Sequence, residues 1–265
     1  MRRTPIVLSI AGSDNTGGAG IQADLKTCCR FGVYAATVIT GVTSQNSKAV
    51  FGVETVSDKM LRSQIDAIYE VMKPDAVKTG MLPSPSVIST VAEKLKEYDV
   101  CNIVVDPVMV ATNGGSLVAP GEDTVEEFRR SLLPLATVFT PNIPEASRFL
   151  GRDIADENPE EVCRSLLATT GSKAVLLKGG HSDSGKASDF LFDGSKLTVF
   201  ESERFATRNT HGTGCTLSSA IACGLAAGQP LDEAVRNAKR FVTDAIIGAM
   251  DLEITVGPGP LDFFA

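Results

Sequence analysis

Two rhythms of apolar residues alternate along the chain. Six short runs, Ile6–Ile10, Ala36–Val42, Ala76–Thr79, Asn102–Val105, Ala136–Thr140 and Ala174–Lys178, are nearly continuous in aliphatic and β-branched side chains. Between them lie longer segments with apolar residues at helical spacing: Gly20–Phe31, Asp58–Met72, Ser84–Tyr98, Asp123–Leu132, Ile143–Leu150, Pro159–Thr170, Cys215–Gly228 and Leu231–Ala249. Strands buried on both faces produce the first rhythm, and crossover helices the second. The alternation therefore predicts an α/β fold with a mostly parallel central sheet flanked by helices on both sides. One stretch breaks it. In "SDFLFDGSKLTVFESE", Asp193-Gly194 separates two apolar-aromatic runs, which predicts a tight antiparallel β-hairpin near residues 188–201. No linker, repeat or low-complexity segment divides the chain, so residues 1–265 read as one domain.

Composition narrows the function. With 43% hydrophobic and 22% charged residues, the 265-residue chain can bury a sizeable core. A net charge of -7 argues against a nucleic-acid or anionic-membrane partner. The apolar run after the two N-terminal arginines is too short for a signal segment, and no run approaches the roughly 18 residues of a membrane span. Six cysteines without a CxxC and only two histidines give neither a disulfide framework nor a zinc site. Free thiols fit a reducing compartment, so a cytoplasmic location is expected.

Candidate chemistry gathers where the predicted strands end. "AGSDNTGGAG", "TSQN", "KTGML", "DPVM", "TPNIPE" and "KGGH" each follow a strand, and open parallel sheets bind ligands beyond the carboxyl ends of their strands. The first glycine stretch fails both familiar phosphate-loop patterns. Gly12 and Gly17 have Walker spacing, but Gly18 stands where the lysine belongs. Gly18, Gly20 and Ala23 match a dinucleotide fingerprint, yet no carboxylate follows Asp24 until Glu54. Asp24, assigned to the first helical turn, is expected either to offset the helix dipole or to accept a hydrogen bond from a ligand lying against the glycines.

The second glycine stretch, "NTHGTGCTLSSAIACGLAAG", is more informative. Gly212, Thr213 and Gly214 lead into a helix, where backbone N–H groups and the macrodipole favour an anion. Cys215 sits at that positive end, so its thiolate is expected to be favoured. Asn142 and Glu145 stand three residues apart at a helix start and could face one ion through water, while Asp106 ends a strand at the same edge. Lys178 ends another strand and could pair with a transferring phosphate. A cation site and positive charge are what phosphoryl transfer requires.

Assembled, these residues resemble the ribokinase superfamily and, more narrowly, the hydroxymethylpyrimidine/phosphomethylpyrimidine kinases of thiamine biosynthesis. The similarity runs nearly end to end, through "AGSDNTGGAGIQADLKT", "TGVTSQN", "VKTGML", "VVDPVMVATNG", "TPNIPEA", "LLKGGH", "HGTGCTLSSAIA" and "VGPGP". It implies a three-layer ribokinase-like fold. It also implies ATP- and Mg²⁺-dependent phosphorylation of 4-amino-5-hydroxymethyl-2-methylpyrimidine, then of its monophosphate. Asn142 and Glu145 match the family's N-x-x-E magnesium motif, with Asp106 beside them. Gly212, Thr213, Gly214 and Cys215 match its anion hole, where most sugar kinases have aspartate in place of the cysteine. Gly12, Asp24, Gln45, Met81 and Val108 would line the pyrimidine pocket, while Lys178 and Lys239 would serve ATP. Cys215 would accept or orient the hydroxyl proton. Asn15 and the ending "LDFFA" depart from the usual family residues.

Three other readings compete. Pyridoxal kinase is a sister activity, from which Gln45 separates this chain because one amide matches the donor and acceptor of an aminopyrimidine edge. A silent binding protein would not need Cys215, Lys178, Asp106 and Glu145 together. A thiol hydrolase would pair Cys215 with His211 or His181 and leave the lysines without a task. A homodimer is expected, with apolar positions around Cys28–Val33 as the exposed face.

Overall fold

The computed structural model describes residues 3–109, 122–179 and 185–264; the "VATNG" segment and His181 lie outside them. Within the described residues nine strands form one sheet in the order β3-β2-β1-β4-β5-β6-β7-β8-β9. They are β1 Ile6–Ser13, β2 Tyr34–Gln45, β3 Val50–Thr55, β4 Ala76–Thr79, β5 Ile103–Val105, β6 Val138–Phe139, β7 Val175–Lys178, β8 Lys186–Phe192 and β9 Leu197–Glu203. The central strands from β2 to β7 run parallel, and β3, β8 and β9 extend the sheet antiparallel at its two edges. From β1 the chain steps outward to β2 and β3, then returns to lay β4 on the opposite flank of β1. That reversal opens a crevice at the carboxyl ends of β1 and β4.

Alternation within the strands divides the core into two layers. In β1, Leu8 and Ile10 face a layer with Leu61, Ile65, Val87, Val91 and Phe149, which brings in α2 (Asp58–Val71), α3 (Pro85–Glu97) and α5 (Ile143–Leu150). Val162 and Leu166 add α6 (Pro159–Thr170) to the same layer. Val7 faces the other, with Cys28 of α1 (Gly20–Arg30), Ile221 of α7 (Thr213–Ala226) and Val235 of α8 (Leu231–Gly248). The expected helix–sheet–helix layering is present. None of the described helices is long and apolar enough to cross a membrane.

Departures from the sequence reading have local causes. β3 was not foreseen because its residues are exposed or half-exposed on both faces and so show no alternation. The helix expected over 123–132 begins as α4 (Glu122–Glu127), widens into a π turn at Phe128–Leu132 and closes as a 3₁₀ turn at Leu133–Leu135. The hairpin is present, but its turn spans residues 193–196: Asp193 Oδ1 accepts from Ser195 N and Lys196 N at 2.9 and 2.8 Å, and Gly194 takes φ +92°. The apolar face assigned to Cys28–Val33 is corrected, since both of those residues pack into the core. Exposed apolar side chains lie instead at Tyr34, Val42, Phe51 and Met60.

Candidate active site

The two glycine stretches pack against each other. Gly212 caps α7 at φ +86°, and a Cβ there would stand 1.9 Å from the Gly18 carbonyl oxygen. A Cβ on Gly18 would meet His211 Cδ2 at 2.5 Å. Gly212 is glycine because its backbone meets the Gly18 backbone at a positive φ, and Gly18 because the His211 ring lies against it. The contact is fastened by His211 Nε2, 2.8 Å from Asp14 Oδ2, an oxygen that also accepts from Ala19 N at 2.8 Å. Burial opposes ionisation of Asp14, but the His211 hydrogen bond and those from Thr16 and Ala19 hold its carboxyl down at about 2.

Behind this junction, at the carboxyl edge of the sheet, lies a cavity of about 880 Å³. Of the residues singled out from sequence, Gly12, Gln45, Met81, Asp106, Val108, Asn142, Glu145, Lys178, Gly212, Thr213, Gly214, Cys215 and Lys239 line it. Gly12 packs on Met81, where a Cβ would meet Met81 Cε at 2.3 Å. Met81 in turn packs with Val50, Val53 and Val108. Beside this apolar group, Gln45 Nε2 donates to Thr43 Oγ1 at 3.1 Å, and Thr43 Oγ1 donates to the Ser13 carbonyl at 2.9 Å. Gln45 thus has a fixed orientation and a carbonyl oxygen for a ligand.

Around the start of α7 the groups are charged. The helix begins at Thr213, two residues before the expected start, and no side chain caps it. Thr213 N donates to Thr210 O at 3.3 Å, and Thr216 N donates to Gly212 O at 2.9 Å. Among the described residues, the Gly214 and Cys215 amides have no backbone acceptor. Two orphan donors at a helix N-terminus are an anion site in waiting. Lys178 Nζ lies 2.9 Å from Asp106 Oδ1, and would be 3.4 Å from a Cβ on Gly214. Burial works against the Lys178 charge, but Asp106 and Glu145 outweigh it and raise its pKa. Asp106 answers in kind: burial opposes its charge, and Lys178, Lys78 and the Ser218 hydroxyl lower its pKa. Lys239 donates to Asp189 Oδ2 at 2.8 Å, and Asp189 Oδ1 accepts from Gly179 N at 3.2 Å.

Two sequence expectations change here, and a third pair gains a structural role. Asp24 does not line the cavity. It is the fifth residue of α1, fully buried, with its oxygens on Lys78 Nζ, Ser9 Oγ and Ser219 Oγ. Cys215 is not a favoured thiolate, because burial pushes its thiol up to about 11 despite the charge of Lys78. Asn142 and Glu145 first serve α5: Asn142 Oδ1 accepts from Glu145 N and Glu145 Oε2 from Asn142 N, each at 2.8 Å.

A divalent cation still suits this corner. Burial raises the Glu145 carboxyl to about 7, with Lys178 lowering it and the nearby Asp106 charge raising it further. Two mutually repelling carboxylates at a cavity wall, with an amide oxygen that keeps a second lone pair, form a hard-oxygen donor set. Sequence reasoning missed Asp14, Thr43, Lys78 and Asp189. Of these Asp14, Thr43 and Lys78 sat inside segments already marked as strand-end loops, and only Asp189 lay outside them.

Comparison with known proteins agrees with this geometry. The family described as phosphomethylpyrimidine kinase matches residues 14–262. The chain is 48% identical to the hydroxymethylpyrimidine/phosphomethylpyrimidine kinase of Rhizobium meliloti, over 98% of this chain and 97% of that one. Among solved structures it is similar to the phosphomethylpyrimidine kinase of Clostridium difficile, at 43% identity and TM-score 0.79, covering 92% of this chain and 100% of that one. It is also similar to an ADP complex of Bacillus subtilis pyridoxal kinase, at 38% identity and TM-score 0.86, covering 97% of each.

Proposed function

The chain belongs to the phosphomethylpyrimidine kinase family, and on that footing we propose that it phosphorylates the hydroxymethyl group of 4-amino-5-hydroxymethyl-2-methylpyrimidine from ATP and then phosphorylates the monophosphate, in thiamine biosynthesis. The observation that carries this reading is the pair of acceptor-less amides of Gly214 and Cys215, beside the Asp106–Lys178 ion pair, in a cavity that also holds Gln45. Gly12, Met81 and Val108 form the floor for the ring, and Gln45 reads its polar edge. The γ-phosphorus moves in line: its bond to the acceptor oxygen forms as its bond to the β-phosphate oxygen breaks, ADP leaves, and the hydroxyl proton of the first acceptor passes to an oxygen of the transferred phosphoryl group.

Charge on the migrating group is met by the two amides and by the Lys178 ammonium. Lys239, held by Asp189, faces the nucleotide. Magnesium would be held by Asp106, Glu145 and Asn142 and, when bound, neutralises phosphate charge. Cys215 acts as a neutral thiol that orients the hydroxyl. In a loose transition state the nucleophile carries little early charge, so orientation matters more than base strength. The second acceptor is already ionised and needs no base. A cytoplasmic homodimer belongs to the same proposal, and the exposed Val42 of β2 and Phe51 of β3 support an association surface at that sheet edge.

Turnover of pyridoxal is the second reading, supported by the likeness to the Bacillus subtilis enzyme. An ADP-release assay offering the pyrimidine alcohol, pyridoxal and ribose in parallel tests the choice. The pyrimidine alcohol is expected to turn over fastest, and faster turnover of pyridoxal would reverse the assignment.

A further inference from the structure

Helices α1 and α7 are joined by a ladder with the same spacing on both sides. Ser219 Oγ donates to Asp24 Oδ1 at 2.6 Å, Cys28 Sγ lies 3.5 Å from Cys223 Sγ, and Cys215 packs in one cluster with Ala23. Positions 24 and 28 thus meet 219 and 223, one helical turn per rung, so the helices run parallel from the cavity edge. Only the Asp24–Ser219 rung is charged, and no part of it reaches solvent. Asp24 also accepts from Ser9 Oγ of β1 at 2.5 Å, and Lys78 Nζ of β4 donates to both its oxygens at 2.9 Å. One carboxylate therefore ties together β1, α1, β4 and α7.

A buried ion pair is a weak source of stability compared with apolar packing of the same volume. What it supplies is direction. Helix α7 is built mostly from small residues, "CTLSSAIACGLAA", which leave few large side chains to interlock with α1. A short bond to a charged acceptor has a narrow geometric optimum, so it fixes axial register where packing leaves it loose. Cys215 lies one turn before Ser219 and within the first turn of the helix.

We propose that Asp24 and Ser219 are positioning residues for phosphoryl transfer: their buried bond sets the register of α7 against α1 and so places the Gly214 and Cys215 amides over the migrating group. The inference rests on the kinase reading above. It gives Asp24 a role that needs no contact with substrate.

The test compares Ser219→Ala, which cuts the rung and leaves the Asp24–Lys78 pair, with Ser219→Thr, which keeps the hydroxyl donor. For Ser219→Ala, kcat is expected to fall at least about tenfold for both acceptors alike, because they share the amides. KM for the pyrimidine alcohol should stay within about twofold, and Ser219→Thr should recover kcat to within about threefold of wild type. A folded Ser219→Ala enzyme within twofold of wild-type kcat would overturn the proposal. So would an Ala variant that unfolds, or loses activity only in proportion to its folded fraction, since the bond would then be structural alone. Wild-type enzyme run alongside separates the two layers of argument: no turnover of the pyrimidine alcohol there refutes the kinase reading itself.

Discussion

Lys178 Nζ stands 2.9 Å from Asp106 Oδ1, each at the carboxyl end of its own strand, β7 and β5, with β6 between them. The Asp106 side chain is buried, while Lys178, a cavity-lining residue, keeps 15% of its side chain exposed. That asymmetry lets the ammonium lean toward a phosphate without abandoning its carboxylate. Under the proposed mechanism, replacing Lys178 by Met removes the charge that would face the developing phosphoryl oxygens and leaves Asp106 without this ion pair, held by Thr140 and Ser218. Loss of one such preorganised donor typically costs about a hundredfold or more in rate. Lys178→Met is expected to lower kcat by at least that factor for both acceptors, measured as ADP release at saturating ATP.

Cys215 offers a pH test. Its thiol is pushed up to about 11 by burial, with Lys78 pulling the other way. Alkylation by iodoacetamide should therefore stay slow from pH 7 to 9 and accelerate only toward pH 11, because the thiolate is the reactive form. The linked stability runs in the same window. A folded pKa above the unfolded value of about 9 means that the native state holds the proton more tightly, so the Cys215 contribution is complete below pH 9 and is lost as pH rises through 11. Cys215→Ala should flatten that alkaline fall. Fast alkylation at pH 7 would restore the thiolate reading.

At the other end of the scale, Asp14 gives an acid-side prediction. His211 and the Thr16 and Ala19 donors hold its carboxyl at about 2, below an ordinary value of 3.8, against the opposing effect of burial. A depressed folded pKa contributes stability that is present above about pH 4 and is lost as pH falls toward 2. The difference corresponds to about 2 kcal/mol. Asp14→Asn should cost about that much at neutral pH by denaturant unfolding, and the gap to wild type should close between pH 4 and 2.

Much of this architecture was legible because it depends on local chemistry. The parallel strands announced themselves as apolar runs, and Gly212-Thr213-Gly214-Cys215 marked an uncapped helix start from sequence alone. Asn142 and Glu145 were found, although their reciprocal backbone bonds at the start of α5 serve the helix as well as the cavity. What stayed hidden depends on partners distant in sequence. Asp24 lies 54 positions from Lys78 and 195 from Ser219, and nothing near it signals a buried cluster. The helix start at Gly20 was read correctly, but counted from there Asp24 falls in the second turn, bonded to Ser219 of α7 and away from the cavity. Gly212, read as ligand-facing, does line the cavity, but it also packs on the Gly18 backbone, a contact that nothing in the sequence signalled. Cys215 was misjudged because the helix terminus was visible in the sequence and its burial was not.

A crystal structure with a nonhydrolysable ATP analogue, magnesium and the pyrimidine alcohol addresses the proposal most directly. The account predicts a γ-phosphate oxygen within about 3 Å of the Gly214 and Cys215 amide nitrogens, with the hydroxymethyl oxygen in line behind the phosphorus. Nucleotide bound with its phosphates away from those amides, while the alcohol fills the pocket beside Gln45, would contradict it.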